Sequence, residues 1–245
     1  MDKVNARDEV NNLLLTKEEM REIASKRNSE IQKEFTNGFD LLENYPRSVT
    51  FFGSTQTDHS NVYYKDARVL AHRIAKELGY SVITGGGPGI MEAANRGAHE
   101  VGGNSLGLTI KLPLGQRTNK YIDKEIEFYY FFVRKVCLTF SAEAFIFYPG
   151  GFGTLDEFFE VATLIQTKKI EGVPIICVGV EYWSKLTSFM ETEMLSRGAI
   201  SLNDLGLFAI TDDHETILEI IKKAPVKTGM LLNKHSPLHG PVSQT

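Results

Sequence analysis

The chain has 245 residues, of which 42% are hydrophobic and 24% are charged, and its formal net charge is −4 at pH 7. This composition is typical of a soluble globular protein with a substantial core. No signal-peptide pattern or long apolar run is present, so we expect a cytoplasmic protein without membrane association. Because binding to a polyanion requires an extended basic surface, the acidic balance argues against a nucleic-acid partner.

The first and last segments differ in pattern from the rest of the chain. Between residues 2 and 43, apolar side chains recur at roughly helical intervals, and Pro46 ends that pattern. Residues 1–46 are therefore predicted to form an N-terminal helical arm, and residues 47–225 one main domain. Residues 226–245 contain several glycines and prolines and are predicted to form a tail that is poorly ordered or docks on a partner subunit.

The main domain alternates short apolar runs with amphipathic stretches, which predicts βαβ units. Most runs are continuously apolar, as expected of strands that are covered on both faces. The sequence therefore predicts an α/β fold with a doubly wound, mostly parallel, Rossmann-like sheet. The predicted strands span residues 48–53, 81–85, 105–110, 125–130, 144–148, 174–179 and 208–211, and the predicted helices span 63–78, 90–101, 133–141, 155–167, 182–197 and 213–224.

Two loops at the carboxyl ends of strands, where such a sheet binds its ligands, are candidate phosphate sites. The first contains Gly53 and Ser54, a pair that also fits an ordinary turn. The second contains Gly86, Gly87 and Gly89, and consecutive glycines let backbone N–H groups approach a phosphate at a helix N-terminus. The spacings of dinucleotide-binding and Walker motifs are absent, which argues against a dehydrogenase.

The third loop, residues 149–157, has the most specific pattern, Pro-Gly-Gly-Phe-Gly-Thr-Leu-Asp-Glu. Thr154 is expected to cap the following helix, and its hydroxyl, with the amides of Gly153 and Thr154, would form a second anion cradle. Glu157 would lie about one turn further along. In the alternative interpretation, Glu157 only closes a capping box with Thr154, but a capping box does not require the glycines.

The basic pair Arg134 and Lys135 lies near the start of a predicted helix, where cations oppose the helix dipole and an anionic partner is therefore indicated. A solvated helix face is the common alternative, and the apolar residues on both sides disfavour it. Cys137 and Cys177 lie in apolar sequence, which predicts reduced, packed thiols. The six histidines lack the paired spacing of metal ligands, so no metal site is predicted.

Together, the motif of residues 85–91, the Arg134-Lys135 pair and the motif of residues 149–157 resemble the Lonely Guy family of nucleotide phosphoribohydrolases over residues 48–224. The resemblance implies hydrolysis of the N-glycosidic bond of a nucleoside 5′-monophosphate to free base and ribose 5-phosphate, without a cofactor. It also implies that Arg134 and Glu157 are the catalytic pair and that the protein is a homodimer or larger homo-oligomer. The implied substrate-binding residues are Gly53, Ser54, Gly86, Gly87, Gly89, Met91, Lys135, Gly150, Gly151, Gly153 and Thr154.

The chain departs from the plant members in its helical arm and in Phe131-Phe132, which precede Val133-Arg134-Lys135 where plant members have Met-His-x-Arg-Lys. An AMP-like nucleotide and a cytokinin riboside monophosphate both remain candidate substrates. The family's older label, lysine decarboxylase, lacks support because no strand-end lysine stands out as a Schiff-base site. Two alternatives stay open: a non-catalytic nucleotide- or cofactor-binding protein on the same fold, and a structural or regulatory protein whose arm recruits a partner.

Overall fold

The computed structural model describes residues 15–112 and 117–224. Seven strands in these ranges form one sheet in the order β4-β3-β2-β1-β5-β6-β7, and all six neighbouring pairs are parallel. The predicted α/β fold with a doubly wound sheet is therefore confirmed. The strands are β1 (Ser48–Phe52), β2 (Ser81–Thr84), β3 (Ser105–Ile110), β4 (Lys124–Phe128), β5 (Ala144–Phe147), β6 (Ile175–Cys177) and β7 (Phe208–Ile210).

Helices cover both faces of the sheet. They are α1 (Lys17–Glu43), α2 (Val62–Arg73), α3 (Ile90–His99), α4 (Phe131–Ser141), α5 (Phe152–Gln166), α6 (Val180–Phe189) and α7 (His214–Lys222). A π-helical turn follows α2 at Ile74–Leu78 and another follows α6 at Met190–Leu195. The predicted helices 63–78 and 182–197 are therefore each formed by an α-helix and the π-helical turn that follows it. A short 3-10 helix at Leu202–Gly206 leads into β7.

Alternation along the strands divides the buried side chains between two cores. Phe51 of β1 faces a core shared with α2, α3 and α7, whereas its neighbour Phe52 faces a core shared with α4, α5 and α6. In the second core Trp183 is fully buried, and its indole N–H donates to the carbonyl of Val178 at 3.1 Å. Cys137 and Cys177 are both buried and unbridged, as predicted.

The helical arm is present as α1, which begins with a capping box between Thr16 and Glu19. Its first half is exposed, but its second half packs on the second core through Phe35 and Leu41, and Leu42 is buried there. The boundary between residues 46 and 47 stays a prediction. Residues 1–14 of the arm and the predicted tail, residues 226–245, lie outside the described residues. No described helix has the combination of length and apolar character that would let it cross a membrane.

The direction in which successive strands are added to the sheet changes at its centre, and this point is the expected ligand site. From β1 the chain builds β2, β3 and β4 on one side, and it then returns to build β5, β6 and β7 on the other. In an open parallel sheet, the crevice beyond the carboxyl ends of the two strands at this switch point is the usual ligand site. The loops that follow β1 and β5 meet there.

Candidate active site

Ser54, after β1, holds the three glycine-containing loops together. Its N–H donates to the carbonyl of Pro149 at 3.1 Å, and its own carbonyl accepts from Ile90 N–H, the first residue of α3, at 3.0 Å. A Cβ at Gly53 would lie 2.7 Å from the Ile90 side chain, and a Cβ at Gly89 would collide with the Ser54 carbonyl oxygen. These two glycines are therefore required by the close approach of the loops.

The loop between β2 and α3 is held from behind by Asn119. The side-chain amide of Asn119 donates to the carbonyls of Gly86, at 3.2 Å, and Gly87, at 3.0 Å, and to Asn95 Oδ1 at 2.9 Å. Gly86 has a φ of 76°, which favours glycine. The first intrahelical bond of α3 is donated by Ala93 to the Gly89 carbonyl at 3.0 Å, and Ile90 N–H donates to Ser54, so the amides of Met91 and Glu92 remain for an anion.

Helix α5 begins three residues earlier than a cap at Thr154 would require. It starts at Phe152, its N-cap is Gly151, and Leu155 N–H donates the first intrahelical bond to the Gly151 carbonyl at 3.1 Å. The prediction that Thr154 caps this helix is therefore wrong, because the extended Gly151 already leads the chain into the helix. With Thr154 inside the first turn, the capping-box interpretation of Glu157 is also wrong.

The first turn of α5 begins with exposed residues, Gly151 to Gly153. The amides of Phe152, Gly153 and Thr154 precede the first intrahelical bond, so they can bind an anion. A Cβ at Gly151 or Gly153 would meet nothing within 4 Å, and neither residue has a positive φ. Neither packing nor backbone conformation therefore requires glycine at these two positions, which agrees with an approach by a ligand.

Arg134, in α4, reaches under the loop that follows β2. Its Nε donates to the carbonyl of Leu108 at 2.6 Å, and its Nη2 lies 3.4 Å from the carbonyl oxygen of Gly85. Burial lowers the pKa of this guanidinium, and the nearby Glu157 opposes that shift. An arginine remains charged at any physiological pH. Among the described residues, however, no carboxylate forms an ion pair with Arg134. This buried cation is therefore poised to receive an anionic or electron-rich ligand.

Met91, in the first turn of α3, meets Arg134 at Gly85. A Cβ at Gly85 would lie 2.9 Å from the sulfur of Met91 and would collide with Nη2 of Arg134. Glycine at this position thus allows two side chains of the sequence motifs to converge at the end of β2.

Glu157 lies in the second turn of α5 and is only 8% exposed. Its buried Oε2 has no hydrogen-bond partner among the described residues. Burial raises the pKa of Glu157 to about 7; the positive charges of Lys135 and Arg134 oppose this shift, and the negative charge of Glu160 adds to it. A carboxyl group with such a pKa can accept or release a proton near neutral pH, as a general base must.

Lys135, which was expected to bind substrate, forms ion pairs within the protein. Its Nζ forms ion pairs with Asp156 Oδ2, at 2.8 Å, and Glu160 Oε2, at 2.9 Å, so it joins α4 to α5. Its positive charge also acts on the adjacent Glu157. A role for Lys135 in substrate binding stays a prediction.

A cleft of about 440 Å³ opens beside Gly89, and it contains neither Arg134 nor Glu157. Its walls include His59, Tyr64 and Glu92, which are already bonded to one another: the Glu92 carboxylate accepts from the Tyr64 hydroxyl at 3.1 Å and lies 3.0 Å from the His59 ring nitrogen. Glu157 and Arg134 therefore lie outside this cleft. No group of three or more metal-ligating side chains occurs in the described part of the chain.

The comparisons with known proteins identify the family to which the chain belongs. A family model described as "possible lysine decarboxylase" matches residues 91–221, more than half of the chain. The chain is also 28% identical over 202 residues to the cytokinin riboside 5′-monophosphate phosphoribohydrolase LOG4 of Arabidopsis thaliana, covering 81% of this chain and 87% of that protein. The chain belongs to the Lonely Guy family. Another curated member, LOG2 of the same plant, is 25% identical over 179 residues, which cover 72% of this chain and 83% of LOG2.

Solved structures share the fold of this Lonely Guy protein at lower identity. The molybdenum cofactor carrier protein MCP from Chlamydomonas reinhardtii gives a TM-score of 0.53 at 22% identity, covering 73% of this chain and 97% of that chain. The molybdenum cofactor binding protein from Rippkaea orientalis gives 0.51 at 23% identity, covering 71% and 93%. At these identities, the likeness shows the fold alone.

Two polar residues hold backbone segments next to this site and carry no motif by which the sequence could have revealed them. Asn119 follows β3 in a loop of ordinary composition, and its side chain binds backbone carbonyls 32 and 33 residues away. Glu34 lies on the helical arm, and its carboxylate accepts from backbone N–H groups more than 90 residues away, just before α4. Neither contact leaves a local pattern in the sequence.

Proposed function

We propose that this protein hydrolyses the N-glycosidic bond of a nucleoside 5′-monophosphate, either an AMP-like nucleotide or a cytokinin riboside monophosphate, to the free base and ribose 5-phosphate. The observation that carries the proposal is the buried Glu157, on the helix that follows the glycine-rich loop, whose Oε2 has no hydrogen-bond partner among the described residues. Curated relatives in the family are named as phosphoribohydrolases, which supports the same reaction class.

The 5′-phosphate would bind between the first turns of α3 and α5. The amides of Met91 and Glu92 in α3, and those of residues 152–154 in α5, precede or lack an intrahelical acceptor, and the positive end of each helix dipole favours an anion. Ser54 lies between the two turns, because it is bonded to the loop before α5 and to Ile90 of α3. A nucleoside without phosphate lacks these contacts, so it should be a poor substrate.

Glu157 would act at the ribose, one turn beyond the phosphate. Cleavage at the anomeric carbon develops positive charge on the sugar, which a nearby carboxylate stabilises. The same carboxylate can accept a proton from the attacking water, whose oxygen forms the new bond to the anomeric carbon as the bond to the base breaks. The proton held on Glu157 can then pass to the base nitrogen, which leaves the carboxylate ionised for the next turnover.

Arg134 would assist this step as a fixed positive charge. An arginine is a poor proton donor because its guanidinium remains charged at physiological pH, so a role as general acid is disfavoured. Its contacts with two backbone carbonyls instead hold the guanidinium in place, where it can orient Glu157 or a ribose hydroxyl.

The proposal is tested by incubating the protein with a panel of nucleoside monophosphates and the matching nucleosides, and measuring free base and ribose 5-phosphate. We expect release from one or more monophosphates and little from nucleosides. The competing function is non-catalytic binding of a nucleotide or cofactor, the role that the names of the solved carrier structures describe for those proteins. Tight nucleotide binding without release of base from any member of the panel would favour that alternative.

A second copy of the chain is the partner we propose for the surface beside the site. Tyr129, Phe131 and Phe132 are 65%, 56% and 50% exposed, and Phe152 at the start of α5 is 95% exposed. Aromatic groups this exposed are commonly covered in a symmetric oligomer. Sedimentation at micromolar concentration tests the proposal: a dimer or larger oligomer is expected, and a fully active monomer would contradict it.

A further inference from the structure

Glu34 of α1 binds the backbone at the start of α4. One of its carboxylate oxygens accepts from Tyr129 N–H at 2.7 Å, and the other accepts from Tyr130 N–H at 3.2 Å. Tyr130 is the N-cap residue of α4 and makes no side-chain capping bond of its own. The arm therefore supplies a cap for the backbone that leads into α4, because Glu34 holds the two N–H groups that directly precede the first turn.

The charge of Glu34 also suits this position. The first turn of α4 carries no acidic residue, and the cations Arg134 and Lys135 follow directly, where they oppose the helix dipole. A carboxylate at the N-terminus offsets that unfavourable arrangement. The negative charge of Glu34 also acts on Cys137, further along the helix. Burial raises the pKa of the Cys137 thiol to about 12, and the charge of Glu34 adds to this shift.

Packing along the two helices fixes the register of this contact. Gly38, one turn after Glu34, lies so close to α4 that a Cβ would stand 2.6 Å from the sulfur of Cys137. The ring of Phe35 packs against that of Phe132 with centroids 6.5 Å apart, and Phe39 meets Phe140 at 6.3 Å. Because α1 and α4 touch at successive turns, Glu34 cannot slide away from the start of α4.

We propose that Glu34 is a positioning residue for Arg134, and this inference rests on the proposed hydrolase function. Arg134 N–H donates to the carbonyl of Tyr130, the residue that Glu34 holds, at 3.2 Å. Without the cap, the first turn of α4 can fray, and the guanidinium then loses its fixed distance to the carbonyls of Leu108 and Gly85. Through Glu34, the helical arm thus helps to position a side chain of the proposed site.

The test compares Glu34→Ala and Glu34→Gln with Glu30→Ala, which removes an exposed glutamate one turn earlier on the same helix. We expect kcat to fall about tenfold or more in Glu34→Ala, since small displacements of a catalytic group are costly, with KM within about twofold because the phosphate binds elsewhere. Glu34→Gln, which keeps one acceptor oxygen, should recover part of the loss. Glu30→Ala should match the wild type.

Hydrogen–deuterium exchange on the same proteins measures the cap directly. We expect the peptide that covers residues 129–135 to exchange faster in Glu34→Ala than in Glu30→Ala. A wild type that hydrolyses nucleotides, together with a Glu34→Ala variant of equal kcat, would overturn the positioning role. A wild type that hydrolyses none would instead refute the proposed function, and faster exchange in Glu34→Ala would still establish the cap.

Discussion

Arg134 and Glu157 project from consecutive helices, α4 and α5, and the charge of each shifts the pKa of the other. The positive charge of Arg134 favours the ionised form of Glu157, whereas burial favours the protonated form and dominates. The carboxyl group therefore remains close to its point of half-ionisation at neutral pH. A general base needs this balance, because it must hold a proton during the reaction and release it afterwards.

The pH dependence of turnover should follow the ionisation of Glu157. Because the ionised form is the active one and the pKa of Glu157 in the free protein is about 7, we expect kcat/KM to fall tenfold per pH unit below about pH 7. The negative charge of Glu160 raises this pKa, so in Glu160→Gln the acidic limb of the profile should move to lower pH. Profiles of kcat/KM between pH 5 and 9 measure both. An acidic limb that stays in place in Glu160→Gln would count against Glu157 as the titrating group.

Asn119→Ala should impair substrate binding more than turnover. The substitution removes the side-chain donor of the buried Gly87 carbonyl, at a cost of about 1–3 kcal/mol, and it loosens the loop that presents amides to the phosphate. The Gly86 carbonyl loses only one of two donors, because it also accepts from the backbone N–H of residue 119 at 2.9 Å. We expect KM to rise several-fold. Asn104→Ala is the control, because Asn104 donates to Ser81 Oγ at 3.1 Å at the opposite end of the sheet. Equal KM values in the two variants would remove Asn119 from the binding site.

Gly153→Leu should raise KM sharply without destabilising the fold. A side chain there enters open space within the first turn of α5, so the structure tolerates it, but the side chain would occupy the path of the phosphate. Gly172→Leu is matched, because its side chain also enters open space, before the amino end of β6. Both variants should melt near the wild-type temperature. If Gly153→Leu retains the wild-type KM, the phosphate does not bind at this loop.

Much of the fold could be predicted because its signals are local. Continuous apolar runs such as residues 144–147 mark strands that helices cover on both faces, and all four of these residues are indeed buried. The sequence predicted a start of α5 that is three residues too late, because Thr154 is a better capping residue than Gly151. Only the backbone conformation of Gly151 shows where the helix begins. The apolar periodicity of the arm indicated a helix but not the surface on which it packs.

In the candidate site too, the residues that belong to local motifs could be predicted, and those with distant partners could not. The glycine-rich loops, Arg134 and Glu157 belong to compact motifs, and the structure brings Arg134 and Glu157 close enough to affect each other's ionisation. Asn119 and Glu34 act on backbone groups that only the folded chain places beside them. Their side chains are common and their partners are distant in sequence, so no local pattern distinguishes them from solvated residues.

The raised pKa of Glu157 also has a consequence for stability. The unfolded chain releases this proton near pH 4.5 and the folded protein near pH 7. The free energy of unfolding therefore falls between these two values as the pH rises, by on the order of 3 kcal/mol. Glu157→Gln carries no such proton, so its melting temperature relative to the wild type should be higher at pH 8 than at pH 4.5. A constant difference across this range would contradict the raised pKa.

Turnover by Glu157→Gln at neutral pH, measured together with its affinity for the substrate monophosphate, tests the catalytic role of Glu157 most directly. Glutamine preserves the size of the side chain but can neither stabilise positive charge on the ribose nor accept a proton from water. We expect hydrolysis to fall by on the order of 10² or more, with nucleotide binding and the fold retained. A stable Glu157→Gln protein that binds the nucleotide and still releases base at a near-normal rate would contradict this role.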